Sequence, residues 1–327
     1  MTWADTRVRA FAWQALVVAA VCAVAIMLAL QTAQNLRLRG IASGFDYLGR
    51  MSGFEIAPGP VSFSSRDTYA RALAVGLVNT LRVCVVGIFL ATTLGVAMGL
   101  ARLSTVPIVS AVAGTIVEVL RNTPLLLQLF FWYSLSQALP GPHEALSPLP
   151  GVFLSDRGLF LPGLDWRDGG MGLAHPALSR YGFHGGLSIS PEFGALVIGL
   201  STYTAAFIGE IVRGGVLAVD RGQTEAAAAL GLPRGKVLRF VVLPQALRVI
   251  IPATTSQFLS LLKNSSLAVA IGYPDLMSIT NTTLNQTGQA IEAIALTTTV
   301  YLAIGLIVSF AMNMWNSRLG PVVGART

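Results

Sequence analysis

Charge is what this 327-residue sequence has least of: Asp, Glu, Lys and Arg together make up 11 %, against 54 % hydrophobic residues, and the mean hydropathy is +0.67. That balance is too apolar for an ordinary soluble domain, so the expected solvent is a bilayer. A dense basic tract is missing as well. The formal net charge of +7 comes from Arg and Lys scattered along the chain, without a nucleic-acid motif, which sets nucleic-acid binding aside. Only two cysteines occur, Cys22 and Cys84, both in apolar runs, so neither a disulfide framework nor a Cys/His zinc site is expected. A phosphate-binding loop is lacking too. The stretch Gly231-Leu-Pro-Arg-Gly235-Lys236-Val237 has three residues between its glycines, not four, and no Ser or Thr after the lysine. His143-Glu144 opens a metalloprotease-like pattern, but Ser147 stands where the second histidine is required, and His175 and His184 read as loop residues. No cofactor is therefore expected in this chain itself.

Long hydrophobic runs, in contrast, are abundant. Crossing a hydrocarbon core takes roughly 20 mostly apolar helical residues. Six runs qualify: Phe11 to Leu30, Leu73 to Leu100, Val106 to Leu139, Phe193 to Leu217, Val249 to Ile271 and Ala293 to Trp315. None alternates as a membrane strand does, and backbone groups in lipid must be satisfied within the segment. The expected fold is an all-α integral membrane protein with six transmembrane helices, the first a retained N-terminal anchor, with a cleaved signal peptide as the alternative. Residues 1–34 form the N-terminal stub and anchor, 35–72 an external segment, 73–317 the main membrane domain and 318–327 a tail. Six spans put both termini on one side. Arg7, Arg9, Arg102, Arg234, Lys236, Arg239 and Arg318 then fall together, on the cytoplasmic side. Arg37, Arg39, Arg50, Arg66 and Arg71 oppose this, because they would lie outside. The insert 140–190, rich in Pro and Gly, would also be external, being too polar to span and too long for a hairpin.

Charges inside membrane helices are costly and mark a pathway or an interior pair. Glu118 and Arg121 stand three apart in the third run, followed by Asn122, Thr123 and Pro124, and the proline frees a carbonyl in mid-span. The residues alone leave open whether this is a pathway or an intrahelical ion pair with a packing kink. Lys263, Asn264, Ser265 and Ser266 form a second polar stretch, and an isolated lysine there needs a partner. Glu210, with Arg213 three residues on, is a third and a possible counter-charge; Tyr203 adds a hydroxyl. Gly95 and Gly99 have the spacing of a small-residue face that lets helices approach closely.

Between the fourth and fifth runs lies Glu225-Ala226-Ala227-Ala228-Ala229-Leu230-Gly231, then nine residues, then Val241-Val242-Leu243-Pro244. Glu at the start of an alanine run favours a short helix, Gly231 ends it, and Pro233 with Gly235 forces a turn before the next apolar segment. A compact helix-turn-helix projection is expected.

Glu-Ala-Ala, three residues, Gly, nine residues and Ile/Val-x-Leu-Pro resembles the signature loop of ABC importer permeases, with Val instead of Ile at 241. Arg121-Asn-Thr-Pro-Leu-Leu-Leu-Gln128, Gly222-Gln-Thr224, Leu243-Pro-Gln-Ala-Leu-Arg248 and Lys263-Asn-Ser-Ser-Leu267 are similar to the polar amino-acid branch. Asn35-Leu-Arg37 through Gly44-Phe-Asp46 and Phe153-Leu-Ser-Asp-Arg-Gly-Leu159 resemble the general L-amino-acid permeases of Gram-negative bacteria. The likeness spans roughly residues 35 to 316.

The resemblance implies a five-helix type I ABC importer core after the anchor, in the bacterial inner membrane. It implies that the 218–247 loop is cytoplasmic and couples to an ATP-binding-cassette ATPase dimer through Glu225, Ala226, Ala227, Gly231, Leu243 and Pro244. ATP and Mg would be bound by that partner ATPase. A second homologous permease subunit, a periplasmic amino-acid-binding protein facing the insert and an amino-acid substrate are the other implied partners. A cavity passing an amino acid needs both charge signs and neutral donors. Glu118, Arg121, Asn122, Thr123, Gln128, Tyr203, Glu210, Lys263, Asn264 and Ser265 supply them as the expected pathway. The rivals are a self-sufficient ion-coupled secondary transporter, using the same charges, and a membrane scaffold or sensor without a pathway.

Overall fold

The computed structural model describes residues 6–38, 40, 43–57, 59–167, 170–180 and 182–317. Arg39, Arg318 and the tail 318–327 lie outside the described residues. Helix α1, Thr6–Leu38, is apolar all round and exposed at every position whose burial is described, as befits a helix solvated by lipid and not by the rest of its chain. After it, Tyr47 and Ile56 pack beside the start of α2, Tyr69–Arg102, whose first turn is capped by Thr68 Oγ1 accepting from Arg71 N at 3.3 Å.

Helix α5, Pro191–Leu217, is the most buried of the long spans and forms the centre of the bundle. It starts at Ser190, whose hydroxyl accepts from Phe193 N. Leu196, Leu200 and Ile208 face the core with Val83 of α2 and Leu129. The α2–α5 approach rests on absent side chains. A Cβ on Gly95 would sit 2.6 Å from Ile208 Cβ, and one on Gly99 2.7 Å from both Gly209 O and Val212 Cβ, so the expected small-residue face is formed and directed at α5.

The third run is not one helix. It divides into α3, Pro107–Asn122, and α4, Leu125–Gln137, because Pro124 cannot donate into the turn before it and pushes Thr123 into an extended conformation. Neither half is long enough to span by itself, so five helices among the described residues are long and apolar enough to cross, with the broken pair between the second and third of them. Gln128 mends the break: its Nε2 donates to Leu120 O at 2.8 Å and Thr123 O at 3.0 Å.

The insert departs from the all-α expectation. Among its described residues it holds eight short strands: β1 Leu146–Leu149, β2 Val152–Ser155, β3 Gly158–Leu161, β4 Gly163–Arg167, β5 Gly170–Ala174, β6 Ala177–Ser179, β7 Gly182–His184 and β8 Leu187–Ile189. They pair antiparallel as a four-stranded sheet, β1-β2-β3-β8, and two ribbons, β4-β5 and β6-β7. His184 thus lies on a strand and not in a loop. Phe183 stacks on Phe153 and packs tilted against Phe160, with ring centres 4.7 and 4.8 Å apart, fastening a ribbon to the sheet.

Beyond α5 come α6, Arg221–Ala229, and α7, Arg234–Val237, a wide π turn over Leu238–Val242, and α8, Leu243–Asn264. A 3₁₀ stretch, Ser265–Ile271, ends at Gly272 with φ +76°. Helix α9, Leu276–Thr287, has no counterpart among the six expected runs: twelve residues dominated by Thr, Ser and Asn carry no membrane-span signal. It is held by Asp275, fully buried, which accepts from Ser278 N at 2.8 Å and from the Tyr301 hydroxyl at 3.3 Å. Thr80 of α2 accepts from Leu276 N at 3.0 Å. Helix α10, Ala290–Ser317, closes the bundle.

Candidate functional site

The loop after α5 folds as the hook its sequence implies. Asp220 Oδ1 accepts from Gly222 N at 2.6 Å and starts α6. At the other end Gly231 N donates to Ala228 O at 2.9 Å and Leu232 N to Ala227 O at 3.2 Å, the paired bonds that finish a helix on a left-handed residue. Gly231 supplies it, with φ +79°; nothing lies within 4 Å of where a Cβ would stand, so its need is conformational and not spatial. The chain then reverses, and α7 with the π turn lies against α6. Val237 and Val242 bury Ala227 to 6 % exposure, backed by Val216, Val219 and Leu232.

The six expected coupling residues therefore divide. Glu225 and Ala226 are exposed on the outer face of α6, as are Leu243 and Pro244 at the start of α8, whereas Ala227 faces inward and holds the hook together. Leu230, which the sequence reading did not single out, is 83 % exposed at the tip, with Phe240 at 63 % and Leu238 at 55 %. An alanine helix with a greasy tip, carried on a closed loop, suits insertion into a groove on another protein.

The expected pathway residues do not form one cluster. Glu210 pairs with Arg102, at the end of α2, and with Arg213 at 2.5 Å, and all three side chains are largely shielded. Its counter-charges are thus two arginines and not Lys263. This triad lies at the hook end of the bundle, tying α2 to α5. Glu118 and Arg121 make no ion pair with each other; Arg121 instead lies over the Phe207 ring, 5.0 Å from its centre, and Phe207 packs tilted against Tyr203 with ring centres 5.0 Å apart. Glu118, Arg121 and Asn122 are exposed and Thr123 is half-buried, while Gln128 is 7 % exposed and engaged at the helix break. Lys263 is exposed and has no carboxylate partner among the described residues. It lines a cavity of about 560 Å³ with Leu259, Ser266, Thr298, Tyr301 and Leu302. Asn264 is half-buried, and Ser265, buried, donates to Leu262 O at 2.7 Å.

Asp275 and Arg82 escaped the sequence reading, and Arg102 entered it only as a charge on the cytoplasmic side. Arg102 sits at a helix end, where a basic residue is unremarkable by pattern. Asp275 lies between runs. Arg82 was detectable: it interrupts the second apolar run as Glu118 does the third.

Comparisons with known proteins agree with this architecture. Residues 91–321 match the family model described as "Binding-protein-dependent transport system inner membrane component". The chain is 42 % identical to the "Putative amino-acid ABC transporter permease protein YhdX" of Escherichia coli (strain K12), over 98 % of this chain and 97 % of that protein. It is 39 % identical to the "General L-amino acid transport system permease protein AapQ" of Rhizobium johnstonii, over 97 % and 94 %. Among solved structures, "Crystal structure of an amino acid ABC transporter with histidines" matches with TM-score 0.57 and 26 % identity, covering 76 % of this chain and 95 % of that one. An inward-facing MetNI methionine ABC transporter chain, 17 % identical at TM-score 0.54, shares the fold. A family match over most of the chain, on a bundle whose hook sits where the signature loop falls, means that this chain belongs to the binding-protein-dependent transport system inner membrane components.

Proposed function

We propose that the chain is the permease subunit of an ATP-driven importer that moves amino acids across the bacterial inner membrane. The hook carries this reading: a closed, apolar-tipped loop with Glu225 and Ala226 outward is a mechanical contact for another protein, while this chain has no phosphate-binding loop of its own. Two ATPase subunits, which hold ATP and Mg, grip it between residues 220 and 244. Their closure on ATP moves the hook and, through it, α5 and α8, and reorients the bundle between outward and inward access. A second, homologous permease completes the path, and a loaded periplasmic binding protein docks on the side of the insert. Names of the relatives, including one for glutamate, glutamine, aspartate and asparagine from Rhodobacter capsulatus at 33 % identity, support amino acids as cargo. Glu118, Arg121, Asn122 and Lys263, exposed on the single chain and costly against lipid, line this protomer's half of the path.

Proteoliposomes test it. Labelled amino acid should accumulate only with this chain, its second permease, the ATPase, the loaded binding protein and Mg-ATP together. Uptake by this chain alone under a sodium or proton gradient, without ATP, would overturn the reading.

A further inference from the structure

On the side of the bundle opposite the hook, the insert and the helix ends enclose a mixed-polarity cavity of about 290 Å³. Its sides are known from chain direction: α5 runs from Pro191 at the cavity to Leu217 at the hook, ~40 Å at the usual helical rise. Two arginines line it. Arg82, half-buried on α2, lies over the Phe193 ring with its Cζ 4.2 Å from the ring centre. Arg157, exposed, is carried there by the two-residue turn between β2 and β3, within the Phe153–Leu159 stretch. Gly158 permits that placement: a Cβ there would come within 2.1 Å of Ile189 O on β8. Glu192, half-buried, is the carboxylate in the lining, beside Ser188 and Ser190. None of the ion pairs among the described residues includes Arg82, Arg157 or Glu192, although an arginine inside an apolar span ordinarily finds a partner. Asp156, adjacent in the chain, pairs with neither arginine.

Two unpaired cations and one unpaired anion around a space for one small molecule define a ligand of opposite pattern. We infer that this cavity is an outer vestibule site that receives an amino acid before it enters the bundle, and that it favours amino acids with an acidic side chain. Arg82, the deeper and stacked cation, takes the α-carboxylate. Glu192 takes the ammonium, and Arg157 at the mouth takes the side-chain carboxylate. A cationic side chain at the mouth meets Arg157 and is repelled. The site deepens the import reading and rests on it.

The test uses the whole importer in nanodiscs without its binding protein, with glutamate, glutamine and lysine as probes, and glutarate for the Glu192 variant, followed by saturation-transfer NMR. Glutamate should bind about tenfold tighter than glutamine, one charge-assisted contact, and lysine weakest. In R157Q, a change at an exposed turn, glutamate should fall to the glutamine level while glutamine is unchanged. R82Q should weaken both, with R82K restoring most of the loss. E192Q should weaken glutamate yet tighten glutarate, which lacks the ammonium. Equal affinities for the three probes, or loss of all three alike in R157Q, would overturn the site and leave the arginines as docking contacts for the binding protein. Uptake by the complete wild-type importer is measured in parallel: transport without vestibule binding sinks this inference alone, and absence of amino-acid transport sinks the import reading.

Discussion

At the scale of single residues the hook separates two roles that look alike in the sequence. Glu225 and Ala226 are outward, and Ala227, one position on, is part of the hook's own small core. Glu225→Lys should therefore abolish uptake and the recovery of the ATPase with the purified chain, while membrane insertion and yield stay at wild-type levels. Ala227→Leu should act differently. Extra methylenes against Val237 and Val242 overpack the hook at a cost of about 1–3 kcal/mol, seen as faster proteolysis between residues 220 and 244. Gly231→Val forces a branched residue into the left-handed region, costing about 1–2 kcal/mol, and should reduce ATPase stimulation by loaded binding protein without altering basal ATP hydrolysis. Glu210 acts by charge. Glu210→Gln leaves Arg102 and Arg213 without their anion; with these side chains partly exposed, the expected cost is about 1–2 kcal/mol. A lowered unfolding temperature of the purified complex checks it.

At the scale of elements, the α2–α5 pair depends on backbone approach and the α3–α4 pair on repair of a break. Gly95→Val would place side-chain atoms where Ile208 and Ala205 O already stand, with backbone on one side and a packed β-branched residue on the other. Neither can yield cheaply, so a loss of about 1–3 kcal/mol is expected, read as a drop in the unfolding temperature in detergent. Gly114→Ala on α3 is the matched control: its Cβ would meet nothing nearer than Arg102 Nε at 4.0 Å, and the same measurement should show little change. The break at Pro124 was visible as a proline in an apolar run. Its mending was not, because Gln128 bonds back to Leu120 and Thr123, and which carbonyls a glutamine reaches depends on how the two half-helices meet.

At the scale of the whole molecule, the hook and the β insert lie at opposite ends of α5, so one crossing of the membrane fixes both. In spheroplasts of a cysteine-free version, Leu178→Cys in the insert should react with a membrane-impermeant maleimide from outside. Leu230→Cys at the hook tip should react only after permeabilisation. The reverse pattern would invert the topology and with it the placement of ATPase and binding protein. Charge distribution left this orientation contested, since five arginines between residues 32 and 72 opposed the rest; the continuous α5, Pro191 to Leu217, sets hook and insert on opposite faces, and the labelling pattern decides which face is cytoplasmic.

The sequence by itself determined the solvent, the span count to within one broken helix, and the hook: each is a local or periodic property, set by apolar run length, by a proline, or by a left-handed turn that glycine adopts at little cost. Only the tertiary structure decided which charges meet. Glu210 finds Arg102, more than a hundred residues away, and Arg82 shares a cavity with Arg157 and Glu192. It also decided that the insert forms strands and that Asp275 is buried under Tyr301. These outcomes depend on how distant helices rotate and dock against one another, and neither run length nor local spacing encodes that rotation.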